Sequence, residues 1–216
     1  MEKLAVISAD VIDSSKFEEI AFMGTLQVLE EPSNNYLISR GESMLTSRGD
    51  SFQIMIQDVE KAFLKAIYLK SFFRKKEIVL KNQQISRKLD LRISLAVGNA
   101  ETIPDDIGKT LEEPFVLSGR ALDQMKKKKQ TFIITTSNAE YNKELELNCL
   151  FLENIFDGWT IAQAEVIYYL VQGFKQTEIA AKLNLTQPSV SNRIQLAHWG
   201  LIEKMNLRYI DIVSKL

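Results

Sequence analysis

Short apolar blocks divide the first two thirds of the chain into strands and helices, and helical periodicity dominates the remainder. Leu4 to Ser8 is an apolar, β-branched run ending at Ala9-Asp10, which reads as a buried strand reaching a polar turn. Ser14-Ser15 offers a helix cap, Phe17, Ile20, Met23 and Leu26 recur at helical spacing, and Glu31-Pro32-Ser33-Asn34-Asn35 breaks the pattern. Two further strands, Ser43 to Arg48 and Phe52 to Ile56, flank Gly49-Asp50, a pair suited to a tight hairpin. Asp58 is placed to cap a helix reaching about Arg74, with Val59, Phe63, Ala66, Ile67, Leu69 and Phe73 on its apolar face. After a polar stretch rich in Lys and Gln, Leu89, Leu91, Ile93, Leu95 and Val97 alternate with more polar residues as a strand, and a turn is expected at Gly98-Asn99. Residues 117 to 129 read as a helix, Thr131 to Thr135 as a strand and 138 to 156 as a further helix.

The order βαββαβαβ, with antiparallel neighbours forced by the hairpin, predicts an α+β fold of the ferredoxin-like palm kind over residues 1–137. Residues 138–157 then form a connecting helix, and 158–216 a separate all-α unit. A length of 216 residues accommodates one ordinary domain and one small one. No apolar run approaches the ~18 residues of a membrane span, and the first residues do not make a signal peptide, so a cytoplasmic protein is expected. The single cysteine, Cys149, has the apolar helical setting of a core residue.

Lys and Arg total 27 against 28 Asp and Glu, so no basic field points to nucleic acid. With His198 as the only histidine, His-based metal sites and Ser-His-Asp triads lack material, which leaves carboxylates and a divalent ion as the better-supplied chemistry.

In the C-terminal unit, Thr160 and Gln163 have capping-box spacing at the start of a helix that runs to Gly173. A short helix, Gln176 to Leu183, is followed by Asn184-Leu185-Thr186 and a third helix from Gln187 to about Trp199. Ile179, Leu183, Leu185, Val190 and Ile194 supply a shared seam, and Ala180 is small where two helices cross. The run from Glu178 to Ser191 resembles the helix-turn-helix of bacterial transcription regulators, with Asn184 at the turn position usually given to glycine and Lys175 in place of a Ser or Thr cap. That resemblance implies double-stranded DNA as partner, with Gln187, Ser189, Ser191, Asn192, Arg193 and Gln195 as the outward positions. From Asp157 onward, six basic residues oppose five acidic ones, so a single copy is expected to bind weakly and a homodimer reading two half-sites is expected. The alternative is a plain helical bundle or dimerisation element.

In a palm, Asp10 and Asp50 meet at one sheet edge, where two hard oxygen ligands suit Mg2+ or Mn2+ bound to a triphosphate. The alternative gives them ordinary cap and turn roles. Ile7 to Ile12, Arg48-Gly49-Asp50-Ser51-Phe52, Leu91 to Gly98 and Pro114 to Leu122 resemble successive landmarks of class III nucleotidyl cyclase domains. Taken with the trailing helix-turn-helix, the order resembles the SatD family. The cyclase likeness implies Asp10 and Asp50 as metal ligands and Arg120 as a nucleotide-binding arginine. Asp13 stands where cyclases have glycine, and Thr46 and Val116 fall at the base-selecting and ribose-orienting positions, so no catalytic residues are assigned. Lys126 to Lys129 read as a solvated helix end.

These readings converge on a DNA-binding transcriptional regulator with a cyclase-like, nucleotide-sensing N-terminal domain. The alternatives are a metal-dependent nucleotidyl cyclase or nucleotide-processing enzyme using Asp10 and Asp50, and a silent adaptor whose C-terminal helices bind protein.

Overall fold

A computed structural model describes residues 1–17, 27, 36–39, 41–47, 50–81 and 85–216. The helical pattern expected over 18–26, the break at 31–35 and the turn residues Arg48 and Gly49 lie outside the described residues.

Five strands form the main sheet: β1 (Glu2–Val11), β2 (Ser43–Ser47), β3 (Ser51–Ile56), β6 (Leu91–Ala100) and β7 (Phe132–Thr136), in the order β2-β3-β1-β6-β7. Neighbours are antiparallel except β6 and β7, which run parallel. The central place of β1 follows from its composition, because only a strand apolar on both faces can be covered on both. Ala5, Ile7, Ala9 and Val11 enter the large core on one face, while Leu4 and Val6 join a smaller cluster with Met55, Ile107 and Phe115 on the other. Two short strands, β4 (Glu77–Val79) and β5 (Ser86–Lys88), form a separate ribbon within the polar stretch, where no strand was expected.

Helix α1 (Ala62–Arg74) lies on the large-core face and is buried along almost its whole length. It begins after a 3-10 turn at Val59–Lys61, and Asp58 makes an ion pair with Lys61 at 2.5 Å rather than a side-chain cap. Helix α2 (Glu113–Lys128) covers the opposite face and starts four residues earlier than its periodicity suggested, because Pro114 fits the first turn, where no amide donor is needed. The expected turn at Gly98-Asn99 is instead continuous strand, with Gly98 opposite Leu4. A Cβ at Gly98 would come within 2.8 Å of the Glu113 carboxylate, so the glycine makes room for Glu113 to accept the Asn99 N–H at 3.1 Å.

Helix α3 (Ala139–Gly158) is capped by Asn138, whose side chain accepts from the Glu140 and Tyr141 amides. Cys149 is buried on its inner side, and burial pushes its thiol pKa up, as suits a core residue. Next come α4 (Ile161–Val171), α5 (Gln176–Leu183), α6 (Gln187–Leu196) and α7 (Trp199–Ser214). The third C-terminal helix thus ends before Trp199, because His198 takes a left-handed conformation and starts a new helix. Ile202, Met205, Tyr209, Ile212 and Val213 bring α7 back onto the palm, and one hydrophobic core runs from the sheet through α1 and α3 to α4 and α7. Among the described residues no helix is long and apolar enough to cross a membrane.

Candidate functional site

Two places bring the sequence-selected residues together. The first is the sheet edge where β1 ends and β3 and β6 begin. Asp10 pairs across β1 with Ser51 on one side and Arg92 on the other, and the Asp50 carbonyl accepts the Val11 N–H at 2.9 Å. Asp10 and Asp50 therefore belong to neighbouring strand ends. Their side chains have different partners. Asp50 accepts a hydrogen bond from the Ser14 hydroxyl at 2.7 Å. The Asp10 side chain, only 8% exposed, has Arg92 Nη1 at 2.8 Å on one oxygen and Lys126 Nζ at 2.8 Å on the other.

Beside Asp10, on the same sheet face, runs a directed hydrogen-bond chain. The Ser118 hydroxyl donates to the Phe115 carbonyl at 3.1 Å, so Ser8 is the donor in the 2.8 Å Ser8–Ser118 bond, and Gln53 donates to Ser8 at 3.0 Å. The chain ties α2 to β1 and β3, and its small hydroxyls let the helix approach closely. Lys126 lies two turns beyond Ser118 on the inward side of α2, which carries its ammonium onto Asp10. Arg120 is exposed, and the described cations touching Asp10 are Arg92 and Lys126 rather than Arg120. Asp13 takes a left-handed conformation and faces Lys16 at 3.0 Å and Arg87 at 3.9 Å.

As a donor set for a divalent ion, this edge is poorly matched. Both Asp10 oxygens already face cations, and among the described residues no group of three or more His, Cys, Asp or Glu side chains converges. A metal would have to displace at least one of the two cations. The arrangement suits anionic oxygens instead, which Arg92 and Lys126 would attract if their hold on Asp10 loosened.

Arg92 was not singled out in the sequence, and Lys126, expected with Lys127 to Lys129 at a solvated helix end, instead pairs with the buried Asp10. Signals for both were present: Arg92 breaks an otherwise small or apolar strand, and Lys126 continues the helical stripe through Ser118 and Leu122.

The second place is the α5–α6 pair. Val166, Ile179, Ala180 and Val190 form its buried centre, with Leu183, Leu185 and Ile194 packed around them, so the whole expected seam comes together. Asn184 takes φ 52° and ψ 48° to end α5. Leu185 N–H then donates back to the Ala180 carbonyl at 2.9 Å, satisfying a helix-end acceptor. Lys175 supplies no side-chain cap; Glu178 instead accepts its backbone N–H at 2.7 Å. Thr186 caps α6 by accepting the Ser189 N–H at 3.3 Å. On α6, Gln187, Ser191, Asn192 and Gln195 are exposed, whereas Ser189 and Arg193 are half-buried at the border of that surface. Gln187 donates to the Gln176 side chain at 2.7 Å, linking the two helix starts.

Aromatic rings on neighbouring elements carry further basic groups. Lys182 lies 4.6 Å from the Phe174 ring centroid and Lys75 lies 3.2 Å from that of Tyr168. Burial first, then the charge of Lys76, brings the Lys75 pKa down to about 8 against the opposing pull of Glu165.

No family model matches the chain, and no curated protein does. Among solved structures, the active GGEEF domain of a diguanylate cyclase from Vibrio cholerae is similar over 63% of this chain and 84% of its own length, with 18% identity and a TM-score of 0.42.

Proposed function

We propose that the protein is a sequence-specific DNA-binding regulator in which α5 and α6 act as a helix-turn-helix and the palm senses a phosphate-bearing ligand, as the resemblances to bacterial helix-turn-helix regulators and to class III nucleotidyl cyclase domains imply. The observation that carries this reading is the division of labour on α6. Val190 anchors the helix, while Ser191, Asn192 and Gln195 project polar side chains able to pair with base edges. An exposed polar face is ordinary for a surface helix; what favours recognition is its place on the second helix after the Asn184 turn and the Thr186 cap, where a helix-turn-helix presents its base-contacting residues. Arg193 borders that surface, where a guanidinium can reach guanine or phosphate.

For the palm, the supporting observation is the Asp10–Arg92–Lys126 cluster. A nucleotide's phosphates are the ligand chemistry that competes for its cations, and their binding would draw Lys126 off Asp10 at the C-terminal end of α2. Reaction chemistry at this edge is the less supported alternative, because Asp10 is already neutralised.

Selection of bound fragments from a genomic DNA pool, at a salt level that suppresses purely electrostatic binding, tests the reading. An enriched motif is expected, with Asn192→Ala and Arg193→Ala each weakening binding by about 1–3 kcal/mol. Absence of enrichment with folded protein would refute DNA recognition. Repeating the selected binding reaction with each nucleoside triphosphate, with and without Mg2+, tests the sensing half, which fails if none changes the affinity.

A further inference from the structure

We propose that Lys75, Lys76 and Lys182 form a strip that holds the phosphate backbone of duplex DNA, so that the palm contributes to the interface alongside α5 and α6. The inference rests on the DNA-binding reading and adds to it a sequence-independent contact from α1. Lys75 and Lys76 stand at the C-terminal end of α1, and Lys182 stands in the last turn of α5. Aromatic rings bring them onto one surface. Lys75 Nζ lies 3.2 Å from the ring centroid of Tyr168 and 5.5 Å from that of Tyr169, and Lys182 Nζ approaches Tyr169 at 5.9 Å and Phe174 at 4.6 Å. Lys76 Nζ lies 4.3 Å from the Phe72 centroid, and Lys75 shares that ring at 5.7 Å.

A ring face attracts an ammonium group but leaves its charge in place. Elsewhere the cations that meet other elements are matched by carboxylates: Lys70 and Arg74 by Asp90, Arg92 and Lys126 by Asp10, Arg208 by Glu144. Among the described residues, the three lysines of the strip form no ion pair. Burial first, and then the charge of Lys76, brings the Lys75 pKa down to about 8 against the pull of Glu165, and a phosphate oxygen would relieve that crowding of like charge. The position of the strip selects the polyanion. Lys182 reaches back along α5 to Phe174, just before that helix, so its ammonium sits at the end where Gln176 accepts from Gln187 at the start of α6. In a helix-turn-helix the first helix crosses the DNA backbone while the second lies in the groove, which places a cation at the start of α5 among phosphates. A membrane or an acidic protein would supply the charge without engaging the polar side chains of α6.

Chemical acetylation of the lysines of the full chain, with and without a duplex of arbitrary sequence at low salt, tests the contact without any variant. The duplex is expected to protect Lys75, Lys76 and Lys182 and to leave Lys109, 86% exposed beside Asp106, labelled as before. Lys76→Gln with Lys182→Gln should lower the slope of log binding constant against log salt by about two, roughly one per phosphate contact removed. That loss should be the same for arbitrary and selected duplexes, whereas Asn192→Ala should weaken only the selected one. Lys75→Gln should lower the slope by about one, and Lys75→Arg, which keeps the charge, should restore it. No duplex binding at low salt, no protection of the three lysines, or an unchanged slope in the folded double variant would overturn the proposal. So would protection by phosphatidylserine vesicles where the duplex gives none. Motif preference with an unchanged slope would refute this contact alone, and lysine protection with no enriched motif would refute sequence recognition alone.

Discussion

Asp90 is the residue at which α1, the start of β6 and the end of α3 are joined. Its carboxylate meets Lys70 at 2.7 Å and Arg74 at 2.8 Å, and Arg74 reaches on to Asp157 at 2.7 Å. Burial alone would raise the Asp90 pKa, but the adjacent Lys70 and Arg74 charges outweigh it and hold the group below the ordinary carboxylate range. A depressed carboxylate contributes stability that is fully present above about pH 4 and is lost as pH falls through the folded-state value. Asp90→Asn also leaves the fully buried Lys70 ammonium without its counter-charge, so a loss of about 3 kcal/mol is expected at neutral pH. Urea unfolding of both proteins across the acid range checks this. The gap between them should narrow toward low pH, and a constant gap would count against the ion pair as its cause.

The α5–α6 turn shows how one backbone conformation sets an element pair. Asn184 ends α5 in the left-handed region, which asparagine tolerates and a β-branched residue does not. Asn184→Val should cost about 1–2 kcal/mol, while Asn184→Gly should match the wild type within about 0.5 kcal/mol, as read from denaturation midpoints. A valine variant as stable as the wild type would mean that the turn does not depend on this conformation. Legibility at this scale was uneven for a physical reason. The α3 cap at Asn138 and the capping box of Thr160 and Gln163 are local, and their spacing is visible in the sequence. The extension of β6 through Gly98 depends on Leu4 across the sheet and on Glu113 from α2, so its local glycine signal pointed to a turn instead.

Across the whole molecule, the palm and the C-terminal helices are fastened at several points. Tyr209 OH donates to the Val59 carbonyl at 2.8 Å, Lys3 Nζ to Val213 at 2.9 Å, Lys88 Nζ to Trp159 at 2.9 Å, and the Trp159 indole to Ala197 at 3.0 Å. Helix α1 is enclosed between the sheet and α4, where the Tyr68 and Tyr168 rings lie 5.1 Å apart. Surfaces sharing one core lose their packing together, so calorimetry should show one unfolding transition for the full chain. Tyr209→Phe should lower stability by about 1 kcal/mol without splitting that transition. Two resolved transitions would show that the units fold independently. Helix α1 touches both units: its C-terminal end pairs Arg74 with Asp90 beside β6, and on its outer side Phe72 meets Tyr168 of α4.

By itself the sequence determined most local features: the order of the five main-sheet strands with α1, α2 and α3, the position of Cys149 inside α3, the seam from Ile179 to Ile194, and the placement of Asp10 and Asp50 at adjoining strand ends, but neither the β4–β5 ribbon nor α7. Each rests on periodicity, capping or turn chemistry, which act over a few residues. Tertiary structure alone decided that Arg92 and Lys126 converge on Asp10, that α7 folds back to Val59, and that one side of α3 is left uncovered. Those outcomes join residues tens to more than a hundred positions apart, and a charge or an apolar stripe in the sequence does not state which distant surface will meet it.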